Sequence, residues 1–470
     1  MNRSVHWRTR AAAAAAALLS LGVLAACSSS TSSSTSAAAP AGSSAATSAA
    51  PAASSSSSSA SSGTADASAC GTKPGVAATG TPINLGTIVT NQPGTSFTDI
   101  SNMAAAYFNC VNDNGGINGH PIKYFIQTEQ TNPTQIASEA KQLVQSDHVV
   151  GIVGNISILE CTIDHKYWEG LGYAIIDAGI APECWSTANS AAVNMGPRYS
   201  SDGAVQYVIS KGVSKIAFDQ SNVPGTGYIA AGPVAVAGAS KVPIQTFTTN
   251  VPIQSADSVA LQLVQAAGKN GAVVLNFTPP EALKILQAAA KLHIQNNVKA
   301  WGCSTPCDTD YLSKTLGTAY DGKLFVNAEA LPADGTNTPT MNLYRAVLAK
   351  YGSNVSGGVG SFSQFGFMQA ALAVKALESI TGDYTVQSVT AAIKALKDVN
   401  TGMACGAFTY GDYPMHIPNN ADYTVTPNNG QMLAVPGSGC LQISIADPQI
   451  AQYVQLAGRA PADPTSVLPS

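Results

Sequence analysis

At 470 residues and 47.8 kDa the chain exceeds the roughly 250 to 300 residues at which single cores stop growing, so one domain is excluded. Hydrophobic residues make up 45% and charged residues 11%, with a formal charge of −4. Without Arg3, Arg8 and Arg10 of a cleavable leader, 20 Lys+Arg face 27 Asp+Glu, about −7, which excludes the basic footprint of a nucleic-acid binder.

The leader is a basic region ending at Arg10 and an apolar run from Ala11 to Ala26, closed by Leu24-Ala25-Ala26-Cys27. The run is shorter than the ~20 residues of a membrane span and reads as a signal peptide over 1–26. Its last four residues resemble a bacterial lipobox. That implies diacylglycerol on Cys27 and a protein held outside the cytoplasm on the cell membrane; an ordinary secretory signal with a chance cysteine is the alternative. Residues 28–69 are nearly all Ser, Ala, Thr, Pro and Gly, too polar to offset ordering entropy, so 27–69 is expected to be a flexible tether with a reach of roughly 35 Å. A glycosylated stalk would change its stiffness and not its role.

With Cys27 used, eight cysteines remain: Cys70, Cys110, Cys161, Cys184, Cys303, Cys307, Cys405 and Cys440. An even remainder in an oxidising compartment predicts four disulfides. Sequential pairing would clip the approach to the first strand onto the first helix, close a 161–184 loop, staple 303 to 307 and tie down a C-terminal hairpin. Cys303-Ser-Thr-Pro-Cys307 leaves a redox or half-zinc reading open, against which stand three intervening residues and no nearby His.

From Pro82 strand and helix signals alternate, which predicts parallel βαβ units. Strand 83–89, helix 97–111, the turn cluster Asn114-Gly-Gly-Ile-Asn-Gly and strand 120–126 come first. A helix start at Asn132-Pro133-Thr134, an apolar face over 136–144 and strands 149–153 and 174–176 follow. The pattern restarts near Ser200, with helix 202–210 and strands 215–218, 244–248, 272–276 and 323–326 alternating with helices around 259–267, 281–292 and 310–316. Helical patterns at 341–351, 363–379 and 386–396 have no strands of their own and are expected to pack back on the first unit. The stretch 405–445 reads as a hairpin returning to the second. The expected organisation is lobe 1 at 70–199 and 327–398, lobe 2 at 200–326 and 399–446, and a C-terminal tail at 447–470.

Asn112-Asp-Asn-Gly-Gly-Ile-Asn-Gly-His-Pro-Ile-Lys123 resembles the N-x-x-G-G-I-x-G signature of the branched-chain amino acid binding proteins, the type 1 periplasmic binding proteins of ABC transporters. Asn132-Pro133, 137–144, the glycine-ended strand at 149–154, Ala181-Pro182-Glu183 and Pro224-Gly-Thr-Gly227 are similar in their turn. The resemblance implies an α/β fold of two Rossmann-like lobes joined by three crossovers, with a small-molecule ligand in the cleft, no cofactor, an ABC permease as partner and a monomeric state. It also implies a site. Phe97 stands within one position of a strand-one aromatic, Asn155 and Ser157 occupy the loop after Gly154, and Ala178 and Gly179 match backbone donors. Ile180 stands where the family carries a hydroxyl, and Asp177 adds negative charge beside the donors. On the second lobe Asn222, Phe277 and Thr305 are the expected loop contacts, and none is an acid. Leucine, isoleucine and valine are therefore expected to bind weakly, and a neutral or cationic solute to be preferred.

An enzyme is disfavoured: Gly-x-Ser-x-Gly, His-Glu-x-x-His and Walker A motifs are absent from the sequence. Gly225-x-Gly227-x-x-Ala230 imitates a dinucleotide fingerprint, but its strand is expected to end too early. His6, His120, His148, His165, His293 and His416 form no metal spacing. A lipoprotein that senses its ligand and signals to a membrane receptor is the functional alternative to a transport receptor.

Overall fold

The computed structural model describes residues 67–411, 415, 416, 418 and 421–457. The signal peptide, Cys27, nearly all of the tether and residues 458–470 lie outside them. Among the described residues no helix is long and apolar enough to cross a membrane.

The first sheet holds β1 (Ile83–Gln92), β2 (Thr95–Ser96), β3 (Ile122–Glu129), β4 (Gly151–Asn155), β5 (Ile175–Asp177) and β6 (Ser190–Ala192). Its order is β2-β1-β4-β5-β6, with β3 also on β1, and every pairing but the β1–β2 hairpin is parallel. Helices α1 (Thr98–Asp113), α2 (Pro133–Gln145), α3 (Glu160–Leu171) and the short α4 (Glu183–Ser186) connect these strands. All five residues of β4 are buried, as covering both faces of a parallel sheet requires.

The Gly-Gly motif works as a clamp between α1 and β3. Asn112 donates through Nδ2 to the Ile122 carbonyl (2.8 Å) and accepts from the Ile122 amide (2.7 Å). Ile117 and His120 exchange backbone hydrogen bonds. Gly116 holds φ +59, and a Cβ there would stand 2.4 Å from the His120 carbonyl oxygen, so only glycine makes this turn. At α2, Asn132 accepts from the Thr134 and Gln135 amides, with Pro133 at the first helical position.

The second sheet has β7 (Ile216–Asn222), β8 (Ile244–Asn250), β9 (Ala272–Asn276), β10 (Ala300–Cys303), β11 (Leu324–Ala328), β12 (Ala421–Asn428), β13 (Gln431–Ala434) and β14 (Leu441–Gln442). Its order is β13-β12-β11-β10-β9-β7-β8, parallel from β8 to β11 and antiparallel beyond, with β14 on the end of β12. Helices α5 (Pro197–Ser210), α6 (Ala231–Ala239), α7 (Ala256–Ala267), α8 (Pro279–Lys291) and α9 (Asp310–Leu316) serve it. The chain then returns. Helices α10 (Pro339–Tyr351), α11 (Ser361–Glu378) and α12 (Val386–Lys394) join the first core, where Tyr107 packs edge-on against Phe367 and Val389 and Ile393 are buried. Three crossings therefore connect the lobes: β6 to α5, β11 to α10, and α12 to β12.

Four disulfides are present, pairing Cys70 with Cys110, Cys161 with Cys184, Cys303 with Cys307 and Cys405 with Cys440. The segment expected to be a tail differs. It opens with a helix, α13 (Pro448–Ala457), whose Ile450 and Tyr453 are buried with Trp185 and Tyr199. Asp447, fully buried at its start, accepts two hydrogen bonds from the Arg198 guanidinium (2.6 and 2.5 Å). A fork-on-carboxylate pair out of water holds only while both partners are present. Arg198→Ala is therefore expected to cost about 3 to 5 kcal/mol in urea unfolding, and the apolar pair Arg198→Met with Asp447→Leu to recover most of it.

Many carboxyls are buried, and burial dominates even at Asp202, where the Arg198 guanidinium stands near. Burial, and then the Asp164 charge, push Glu160 up to about 7; burial raises Asp219 to about 6; Asp177, Asp202 and Asp308 stand well above the usual carboxylate range, burial being the first cause in each. Between the unfolded value and the raised folded one, the native state holds more protons than the unfolded chain, so stability grows as pH falls through that window. The melting temperature is expected to be about 5 °C or more higher at pH 5.5 than at pH 8; a flat or rising profile with pH would contradict this set of shifts.

Candidate ligand-binding cleft

Loops from the carboxyl ends of both sheets converge on a cleft with about 660 Å³ of empty space, the place where open parallel sheets take ligands. The first lobe supplies Phe97 and Ile100 after β2, Ile156 and Ile158 after β4, and Ile180 after β5. Phe362 and Phe365 come from α11, and Ile229 and Phe277 from the second lobe. Phe97 meets Phe362 edge-on, ring centroids 5.4 Å apart. Among the hydrogen bonds that span the lobes are those from the Tyr228 hydroxyl to the Ile180 carbonyl and from Thr278 Oγ1 to the Gly94 carbonyl (3.1 Å).

The polar groups of the cleft are mostly spent on one another. Asn194 accepts from the Gly179 amide (2.7 Å) and donates to the Gly179 carbonyl (3.1 Å). Asn276 donates to the Pro197 carbonyl and to Ser201 Oγ. The Thr305 amide donates to Ser200 Oγ (2.7 Å), its Oγ1 donates to Glu329 (3.2 Å), and its carbonyl accepts from Ser361 Oγ (2.9 Å). Among the described residues Glu329 is the one carboxyl on the cleft wall, and it accepts from the Met195 (2.5 Å) and Gly196 (3.4 Å) amides. Burial pushes it up to about 7 against the lowering by those donors. Neither Lys nor Arg is among the described residues that line the cleft.

Of the residues expected to touch a ligand, Phe97, Gly179, Phe277 and Thr305 line this space. Five do not. Asn155 accepts from the Ile88 amide and donates to Glu160 Oε2 (2.6 Å). Ser157 donates to Glu129 (2.9 Å) and accepts from the Leu159 and Glu160 amides at the start of α3. Asp177 is 1% exposed and accepts from Ser190 Oγ (2.6 Å), turned into the lobe. The Ala178 amide, expected as a free donor, is taken by the Asn155 carbonyl (2.9 Å). Asn222 donates to Asn250 across the β7–β8 edge.

The cause at β4 is local. The β4–β5 register shifts between Val153 and Asn155, and Gly154 holds φ +78 with Tyr124 Oη 2.3 Å from where a Cβ would be. Beyond that irregularity the even positions, Ile156 and Ile158, face the cleft and the polar odd ones face inward. Glu329, one residue beyond β11, was not among the expected contacts; the end-of-strand position is the signal that could have found it. At the fingerprint-like Gly225, β7 has already ended at Asn222, so no strand runs into a phosphate-binding turn.

The family profile described as periplasmic binding protein matches residues 82–431. No curated protein matches the sequence. Among solved structures, a branched-chain amino acid ABC transporter protein from Thermus thermophilus with bound valine superposes with TM-score 0.68 at 14% identity, over 80% of this chain and 100% of that one. A fatty acid ABC transporter substrate-binding protein from Thermomonospora curvata gives 0.66 at 16%, over 80% and 95%. A solute-binding protein from R. palustris in complex with benzoate gives 0.63 at 15%, over 78% and 98%. At these identities the likeness is one of fold, and it is the expected one of two α/β lobes. With three quarters of its length under the family profile, this chain belongs to the periplasmic binding protein family, solute binders and not enzymes.

Proposed function

We propose that this protein is the extracytoplasmic solute receptor of an ABC-type importer, tethered through a lipid on Cys27, and that it captures a small, predominantly apolar and uncharged solute between its lobes. The observation that carries the reading is the cleft wall, with isoleucine and phenylalanine on both lobes and the nearby amides already bonded within the protein. A carboxylate taken from water needs a cation or several free donors, and the lining residues include neither Lys nor Arg. A cation would meet only Glu329, whose oxygens already accept from two amides and a hydroxyl. The expectation of a cationic solute rested on Asp177, which faces away. The expectation that branched-chain amino acids bind weakly now has a different basis, since both of their charged ends lack partners. Valine, fatty acid and benzoate carriers share the fold.

A thermal-shift screen against neutral aromatic and aliphatic solutes, leucine, valine and benzoate is the test. Neutral apolar compounds are expected to raise the melting temperature, and the charged set to leave it unchanged. Phe277→Ala is expected to weaken the best hit about tenfold or more, the loss of roughly 1.5 to 3 kcal/mol of buried aromatic surface. Micromolar leucine binding would overturn the ligand class. For the anchor, Cys27→Ala is expected to move the processed protein from the membrane fraction to the soluble one; retention in the membrane would refute lipidation there.

A further inference from the structure

A second chamber lies directly outside the cleft. It has about 680 Å³ of empty space and is lined by Ser96, Thr98, Asp99, Pro279, Pro280, Tyr311, Ser356, Gly357 and Phe362. The partition between the two spaces is one residue thick on each lobe. Along the first lobe the side chains alternate, Thr95 and Phe97 lining the inner space and Ser96 and Thr98 the outer one; on the second, Thr278 is inner and Pro279 outer. Phe362 lines both. It is only partly buried, and its inner contact is the edge of Phe97.

The two chambers differ in chemistry. The inner wall is apolar and its polar groups are spent. The outer one is floored by two prolines and carries the Ser96 and Thr98 hydroxyls, bonded to each other at 3.1 Å, the half-exposed Tyr311 and the Asp99 carboxylate. Asp99 accepts from the Ser356 and Gly357 amides (2.8 and 2.7 Å), which holds its charge at the chamber wall. Again neither Lys nor Arg is among the described lining residues.

We infer that the outer chamber is a second ligand compartment, and that the protein takes an elongated amphipathic solute whose apolar body fills the cleft and whose hydroxyl-bearing end reaches past Phe362 into the outer space. This rests on the apolar reading of the cleft and extends it. The swing of Phe362 about χ1 joins the compartments; the outer hydroxyls bond a polar terminus, and Asp99 rejects an anionic one.

The test is calorimetry with benzyl alcohol, 4-phenyl-1-butanol, 6-phenyl-1-hexanol and 6-phenylhexanoate. Affinity is expected to rise with chain length by roughly fourfold per methylene buried, and the hexanoate to bind at least tenfold more weakly than the hexanol. Ser96→Trp, at an exposed position, fills the outer chamber and is expected to cost 6-phenyl-1-hexanol at least tenfold while benzyl alcohol stays within twofold; Ser356→Trp is the second blocking variant should the first not fold. Phe362→Ala is expected to favour the long alcohol over the short one. A series that levels off at benzyl alcohol, or blocking variants that affect both lengths alike, would overturn the second compartment and leave the apolar cleft standing. Failure of every alcohol to bind would overturn the apolar cleft itself, and the second compartment with it.

Discussion

Two buried carboxyls at the end of β11 and the start of β12 tie the crossovers together. Glu329, just past β11, accepts from the amides of Met195 and Gly196 on the first crossing and from Thr305 on the cleft wall. Two residues earlier, Asn327 donates to Asp422 (2.7 Å), at the start of the strand that follows the third crossing. Burial raises both Glu329 and Asp422, and the Glu329 charge raises Asp422 further. A carboxyl in this position tolerates burial only by collecting N–H and O–H donors or by keeping its proton, and the backbone of the crossings supplies the donors. The lobes therefore share one bonded root at their crossings.

From that root the cleft acquires its character. Asn194, Asn276, Ser200, Thr305 and Glu329 form a polar scaffold bonded to itself, which sets the positions of the loops and leaves isoleucine and phenylalanine to face the ligand. On the proposed reading selection works by exclusion: an apolar body gains by burial, while a charge loses its hydration and finds no replacement.

The elements legible in the sequence are those whose own residues demand them. Ala272–Asn276 and Asp310–Leu316 were bounded as observed, the first a buried apolar run and the second opened by a Thr309 cap. Those missed draw their structure from neighbours. Ser190–Ala192 has no strand preference of its own and pairs because β5 offers an edge, and Ala-Trp-Gly-Cys at 300–303 is strand because β9 and β11 enclose it. Helix α3 carries buried Glu160 and Asp164 on its inner face, so its amphipathic pattern is masked. Helix α13 was hidden because its anchor, Arg198–Asp447, joins residues 249 apart. Four of the nine expected contacts line the cleft, and the other five are turned away from it. Polar residues were preferred at Asn155 and Ser157, whereas a single irregularity at Gly154 turns the isoleucines beside them to the cleft. Facing direction beyond a bulge is a property of backbone torsion, which residue type does not encode.

The Cys70–Cys110 bridge bolts the chain ahead of β1 to the middle of α1. A pull on any tether upstream of Cys70 is thus received by a helix sandwiched between β3 and α11, with Phe108 against Tyr124 and Tyr107 against Phe367. The load bypasses β1, the strand that pairs with β2, β3 and β4 together. Force applied upstream of Cys70 would thus spread through the packed first lobe in place of peeling its central strand.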